Sequence, residues 1–506
     1  MPLLKQPVSL ESSSLKQTAK ALQRAISQIA KGCSNIGRNS EDWEALLSVI
    51  RNLANLISVC SLPTSLLGEI SRRTIRIFNK LFDESDESSI VNSTSKERAD
   101  KVTQVLMKLI FNDARDVLNI SAFKSAIGKH YIISNLASTP KIQSIRIIGI
   151  WSLTNSYIFI EKIKNNIHYL SNLSSLEFGC DCTDDIIKEI SIHCPNVHTV
   201  KVRFSARVTD QSTPYLQNMK KLVKLYVKST GMSTEGYRAV LEALPCIVNI
   251  HWEKVFITEL LGGMTPEILN KKVKIKCKLD SARILVDKCP NVKTLTCEDT
   301  QNANLYPLTE LKELKHLRIN AEILHFGHEN IFEQNGENLS LLLLQNAKLY
   351  RIDLIINYCV SLKTLKINSC TIYNIHNRRL LPESTHFVNL KSLILENNTR
   401  GRSFCQLVKK YVNLKTLFVV NPRDSRSYFS HKYFENALQM GGFRDLENFI
   451  LEGCDDCTIR TARLVIEKCP KLRFISDLGT WGGVTQGDID TLREEIERNN
   501  YDLEVF

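Results

Sequence analysis

The chain has 506 residues, 66 Lys and Arg against 54 Asp and Glu for a net charge of +12, and 15 cysteines. That length can hold a repeat array and a separate end domain. The longest apolar runs fall short of the roughly 18 residues a membrane helix needs, Met1 opens no signal-like apolar segment, and the cysteines are not spaced as a secreted disulfide framework. The expectation is a reduced cytoplasmic or nuclear protein with no membrane partner.

Residues 1–82 read as a helical region, in which Leu46, Leu47, Ile50, Leu53, Leu56 and Ile57 share one face. Residues 83–100, from Asp83-Glu-Ser-Asp-Glu-Ser-Ser through Asn92-Ser-Thr-Ser, read as an acidic, Ser-rich linker. Residues 101–138 are predicted to be helical again. They carry Val105-Leu106-Met-Lys-Leu109-Ile110-Phe111, then Arg115-Asp116-Val117-Leu118-Asn119-Ile120, then Phe123-Lys124.

From residue 139 to 478 a Leu-x-x-Leu-x-Leu core recurs. The clearest copies are Leu222-Val-Lys-Leu225-Tyr-Val227, Leu362-Lys-Thr-Leu365-Lys-Ile367, Leu390-Lys-Ser-Leu393-Ile-Leu395 and Leu414-Lys-Thr-Leu417-Phe-Val419. Weaker copies centre on Ile145, Leu176, Val200, Ile250, Leu295, Leu317, Leu342, Phe449 and Ile475, with a degenerate one around Val273 and Ile275. Most steps fall within the ~20 to 29 residues usual for such repeats, giving about fourteen units. Each unit supplies a short strand and a returning segment, and neither buries its apolar face unless neighbours stack. The fold class is therefore α/β: a leucine-rich-repeat solenoid, with a curved parallel sheet and convex helices, preceded by an all-α region. The returning helices are legible. Thr183 is a candidate N-cap for Asp184 to Cys194-Pro195, and Cys289-Pro290 and Cys469-Pro470 end two more. Residues 479–506 read as a C-terminal cap, in which a glycine-rich turn precedes a helix over 488–499.

A Cys-Pro at the helix end followed by x-Leu-x-x-Leu resembles the cysteine-containing repeats of F-box/LRR proteins. Tyr358-Cys359-Val-Ser-Leu362 keeps the cysteine without the proline, and Leu244-Pro-Cys246 reverses the order. Ahead of the repeats, the order of motifs in residues 101–138 resembles a degenerate F-box that lacks the family's opening Leu-Pro and late Trp. Leu62-Pro63-x-x-Leu66-Leu67-x-x-Ile70 has the opening and lacks the rest. The resemblance implies an adaptor-binding surface at Leu106, Leu109, Ile110, Phe111, Asp116, Val117 and Leu118. The alternative reading of this segment is a helical cap over the first repeat's apolar edge.

If the second apolar residue of each unit points inward, the residues one before, one after and three after it point onto the concave sheet face. Early and middle units then present Arg146, Lys201, Arg203, Lys224, Tyr226, Lys228, Lys272, Lys274 and Lys276, with His251 among them. Late units present Leu341, Leu343, Ile394, Phe418, Val420 and Ile450. A basic stripe attracts acidic or phosphorylated segments. An exposed apolar patch calls for a partner or an inserted loop, for which Asn421 to Phe429 is the candidate.

Catalytic patterns are sparse. Gly479 to Gly483 lacks the context of a phosphate loop, His325 and His328 lack a second ligand cluster, and Cys454-x-x-Cys457 and Cys180-x-Cys182 stand without a second pair. No enzyme activity, metal or cofactor is expected. The resemblance implies the substrate-recognition subunit of an SCF-type (cullin-RING) ubiquitin ligase, with a protein target on the concave face and a cullin-ligase adaptor on the F-box-like segment. The alternatives are a non-ligase scaffold or inhibitor, and nucleic-acid binding through the basic stripe. The last is disfavoured by its few aromatic residues and its excess of Lys over Arg.

Overall fold

A computed structural model describes residues 116–123, 126–139, 141–148, 156–180, 182–298, 304–320, 330–349, 352–373, 389–399, 413–421 and 429–506, with isolated positions between 48 and 110. The helical face around Leu46 to Ile57, the acidic linker, and Leu106, Leu109 and Phe111 lie outside the described residues. So do the side chains of His325 and His328 and the inserted segment between Asn421 and Phe429.

The chain is an α/β leucine-rich-repeat solenoid whose strands are parallel and fall into two compact units, residues 8–249 and 250–506. The first unit holds a five-stranded sheet, in order β1 (Val117–Asn119), β2 (Ser144–Ile147), β3 (Ser175–Phe178), β4 (Thr199–Arg203) and β5 (Lys224–Lys228). The second holds an eleven-stranded sheet. It runs from β6 (Asn249–Phe256) through β7 (Lys274–Lys278), β8 (Thr294–Glu298), β9 (His316–Asn320) and β10 (Leu341–Gln345). The short β11 (Lys348–Leu349) and β13 (Thr371–Ile372) form a separate ribbon, and β12 (Thr364–Asn368) continues the main sheet. The sheet ends with β14 (Ser392–Glu396), β15 (Thr416–Val420), β16 (Asn448–Glu452), β17 (Phe474–Ser476) and β18 (Glu504–Val505).

Register follows the leucine marker. Ile145, Leu176, Val200 and Leu225 sit opposite one another across the first sheet. From Ile275 to Ile475 the second does the same without a slip. These side chains are almost wholly buried, as are the residues two after them from Ile147 to Leu451. The alternation is forced by the strand's two-residue period. Two rungs go beyond the sequence boundaries. Leu118 pairs with Ile145 although it precedes residue 139, and Val505 pairs with Ile475 at the far end. The sheet therefore starts inside the F-box-like segment.

Between strands, helices return the chain with caps that the sequence encodes. The Thr183 hydroxyl accepts from the Ile186 amide, starting the helix Asp184–His193. Ser233 and Ser281 do the same for Thr234–Ala243 and Ala282–Lys288. Capping residues also staple one repeat to the next. The Asp184 carboxylate accepts from the Thr209 amide at 2.8 Å and its hydroxyl at 2.7 Å, and from the Ser212 hydroxyl. Asp210 accepts from the Ser233 amide at 2.7 Å, and Asp280 from the Thr258 hydroxyl at 2.8 Å.

The cysteines of the Cys-Pro motif are buried at helix ends. The amides of Cys194, Cys289, Cys359 and Cys469 donate to carbonyls four residues earlier. Burial pushes the thiols of Cys194, Cys289 and Cys469 up to about 12. The reversed copy is explained by position. Leu244 makes the same bond to Val240 and is buried, so it fills the cysteine's place, while Cys246 falls beyond it and is exposed.

Many strands end in a left-handed residue: Phe204, Ser229, Asn346, Ser369, Asn397, Gly453 and Asp477 all have φ between 52° and 68°. Small or polar residues suit that conformation, and Phe204 is the bulky exception. The glycine-rich turn near the C-terminus is structural. A side chain at Gly482 would collide with the Asp455 carbonyl, and the buried Trp481 donates its indole N–H to the Leu451 carbonyl at 2.7 Å. The turn leads into the helix Gln486–Arg498, capped by Thr485 and Asp488.

Candidate functional site

The strands leave alternate residues facing away from the buried layer, and these form an open face on each sheet. In the first sheet, register puts Arg146, Glu177, Lys201 and Tyr226 in one row, with Arg203 opposite Lys228 beyond it. Glu177 is the centre of this group. Its carboxylate lies 3.6 Å from Arg146, 3.9 Å from Lys201 and 3.6 Å from Arg203. The carboxylate side chain is 15% exposed, whereas the three cations are 48%, 34% and 46% exposed. The separations exceed hydrogen-bonding range, so the cations keep their donors. Lys201 also lies over the Tyr226 ring, 5.8 Å from its centroid. Lys224 is exposed at the start of β5, and Phe204, more than half exposed, follows Arg203.

The basic positions of the second unit are different. Lys276 is clamped between two carboxylates, 2.5 Å from Glu253 and 3.4 Å from Glu298. His251 meets the same Glu253 at 3.2 Å. Lys274 is exposed, and Lys278 shares its face and approaches the Phe256 ring. Lys272 corrects the sequence reading, because its side chain is completely buried. The marker in this repeat is Ile275, paired with Leu295, so Lys272 occupies the place of the first leucine of the motif. Equivalent positions such as Leu222, Leu362 and Leu414 are buried as well. A lysine there must be partnered to be tolerated.

The apolar set is only partly contiguous. Ile394, Phe418 and Ile450 are direct cross-strand neighbours on β14, β15 and β16, each half-buried. Leu343 is in the same row, with Lys366 between it and Ile394. Lys366 is tied to Glu396 at 2.7 Å. Leu341 lies one row away between His316 and Thr364, and Val420 one row the other way between Glu396 and Glu452. Asn421, which follows β15, is buried and donates to the Gly453 carbonyl at 2.9 Å.

Of the F-box-like residues, Ile110 and Leu118 are buried and act as support, while Asp116 and Val117 are exposed. Ile110 and Val117 line one cavity of about 450 Å³ together with Arg72, Arg76 and Phe123. The Ser71 hydroxyl donates to the Ile110 carbonyl at 2.8 Å, and the Asn79 amide to the carbonyl of Ala122, in the turn after the first rung, at 2.9 Å.

Among the described residues there is no cluster of His, Cys, Asp and Glu that could hold a metal ion. Cys180, Cys182, Cys454 and Cys457 are buried free thiols, and burial raises Cys182 far above the ordinary thiol range. Cys457 is raised too, first by its hydrogen bond with Cys454. Thiols held protonated are poor nucleophiles and poor ligands. No helix among the described residues is long and apolar enough to cross a membrane.

Glu177, Glu253 and Glu298 are the residues that a count of lysines and arginines passes over. The same outward-facing rule would have found them, since they stand one or three residues after the markers Leu176, Ile250 and Leu295.

No protein-family model matches the chain, and no curated protein matches it either. Solved structures similar to it include an internalin from Listeria monocytogenes str. 4b F2365, with 15% sequence identity and a TM-score of 0.35, covering 67% of this chain and 82% of that one. Another is the Rad7 and Elc1 complex in yeast, with 13% identity and a TM-score of 0.36, covering 89% of this chain and 96% of that one. What the chain binds has to be read from its own residues.

Proposed function

We propose that this chain is a recognition subunit that holds a protein partner on the open faces of its repeat sheets and docks a cullin-ligase adaptor ahead of them, as the substrate receptor of an SCF-type (cullin-RING) ubiquitin ligase. The row Ile394, Phe418 and Ile450 carries the recognition part: three large apolar side chains on adjoining strands, each partly exposed, form the kind of patch that a partner covers. Such a protein makes no bond itself, and its contribution is to hold a target beside a recruited transferase. The adaptor part rests on the F-box-like order of residues 101–138, and the cavity shared by Ile110 and Val117 supports it.

A second reading has its own observation. Val117–Asn119 pairs with the strand of the first repeat, which suits this segment to serve as the cap of the solenoid. A cap needs no adaptor, and the chain would then be a scaffold or inhibitor. Co-purification decides between them. The full chain is expected to retain the adaptor, and Val117→Asp, a change at an exposed position, is expected to reduce retention at least tenfold. Absence of adaptor from the unaltered chain rejects the ligase reading and leaves the scaffold.

A further inference from the structure

We infer that the Glu177 cluster is a binding site for a phosphorylated segment of a partner protein, and that the Glu177 carboxylate holds the place of the phosphate until it arrives. The inference rests on the open sheet face being the partner-binding surface. Arg146 on β2 and Lys201 and Arg203 on β4 converge from either side on the one carboxylate of β3, at 3.6 to 3.9 Å. Three cations against one anion leave two positive charges in excess, which matches the −1.5 to −2 that a phosphate monoester carries at about pH 7. Glu177 keeps like charges from repelling one another in the empty site. Because its contacts are too long for hydrogen bonds, the guanidinium groups remain able to grip phosphate oxygens, for which their planar fork is suited. Each cation is a third to a half exposed, so a ligand reaches all three without rearrangement of the backbone.

The geometry favours a peptide over a nucleic acid. The row from Arg146 to Tyr226 spans the four strands β2 to β5, about 14 Å at the usual strand spacing, enough for one phosphorylated residue and its neighbours. Within the row the one aromatic ring, Tyr226, is already covered by Lys201, which leaves the exposed Phe204 at its edge, whereas single-stranded nucleic acid needs a succession of open rings for stacking. The exposed Lys224 flanks the row and suits an acidic residue beside the phosphate.

The charge arrangement makes an unusual demand on Glu177: removing its charge should strengthen binding. The test measures fluorescence anisotropy of the full chain with a labelled peptide library that has a central phosphoserine and randomised flanks, against the same library unphosphorylated. The phosphorylated library is expected to bind at least tenfold more tightly. Glu177→Gln should tighten it a further three- to tenfold, and Arg203→Gln should weaken it about tenfold, with both variants still unfolding cooperatively on heating. Equal binding of the two libraries overturns the proposal. So does a Glu177→Gln variant that binds no better, or competition by a twelve-nucleotide single strand at concentrations where the phosphopeptide does not compete. Adaptor retention and partner capture through Phe418 are read separately, so their loss and the loss of phosphopeptide binding are distinguishable.

Discussion

In residues 117–228 the open face carries Arg146, Lys201 and Arg203 around the carboxylate of Glu177, while in residues 249–505 Lys276 lies between Glu253 and Glu298 and Lys366 lies against Glu396. Beyond Lys366 the second face turns apolar at Ile394, Phe418 and Ile450. Underneath, the two units use the same leucine row, the same capped helices and the same buried cysteine position. Repetition thus fixes the covered face and leaves the open face free to differ, so the number of lysines on a strand says less than the carboxylates opposite them. An ion already paired has little field left for a ligand, while an uncompensated group projects one.

The largest expected effect tests whether two neighbouring residues belong to opposite faces. Leu417 and Phe418 are consecutive on β15, one fully buried and the other half-buried. Leu417→Ala should cost about 2–5 kcal/mol because it leaves a cavity among packed side chains. Phe418→Ala should cost under about 1 kcal/mol and act mainly on partner binding. Urea unfolding of the two variants measures the difference, and similar costs would mean that Phe418 is core.

Next comes a weakness the two units share. Cys194 in the first and Cys289 and Cys469 in the second have thiols that burial raises to about 12. The unfolded chain ionises near the ordinary thiol value, so these groups stabilise the fold fully below about pH 9. That stability is lost progressively as pH rises from there towards 12. Each thiol should cost about 1 kcal/mol by pH 10. Melting temperatures recorded from pH 8 to 10.5 should therefore fall, and Cys194→Ala should flatten the curve even though it lowers the starting value. Cys246, displaced from the ladder, should be alkylated by iodoacetamide in the native protein while Cys194 stays protected.

The fold was legible because its period is a packing requirement: every marker from Ile145 to Ile475 lies in a strand and is buried. The rungs at Leu118 and Val505 escaped because each keeps only part of the motif. Arg115 stands where the first leucine would be in one, and Asp502 in the other. Lys272 was misplaced for a different reason. Within a strand, parity decides the face, but the first apolar position lies three residues before the marker, across the turn into the strand, so an even-numbered lysine points inward. The basic stripe was legible as composition and not as electrostatics, since the distances from Lys276 to Glu253 and Glu298 come only with register.

The smallest expected effects bear most directly on the difference between the two open faces. Lys276→Ala removes the cation between two carboxylates that are only 15% and 21% exposed and leaves them facing the same gap. It should cost about 1–2 kcal/mol, because two like charges in a partly dehydrated place lose the cation between them. Lys201→Ala removes a more exposed cation 3.9 Å from Glu177, which keeps Arg146 and Arg203 nearby. Its cost should be no more than about 0.5 kcal/mol, with the loss appearing in anion binding. If the two variants are equally destabilised, the open faces are not electrostatically distinct, and Glu177 is a structural partner of its cations in the same sense as Glu253 is of Lys276.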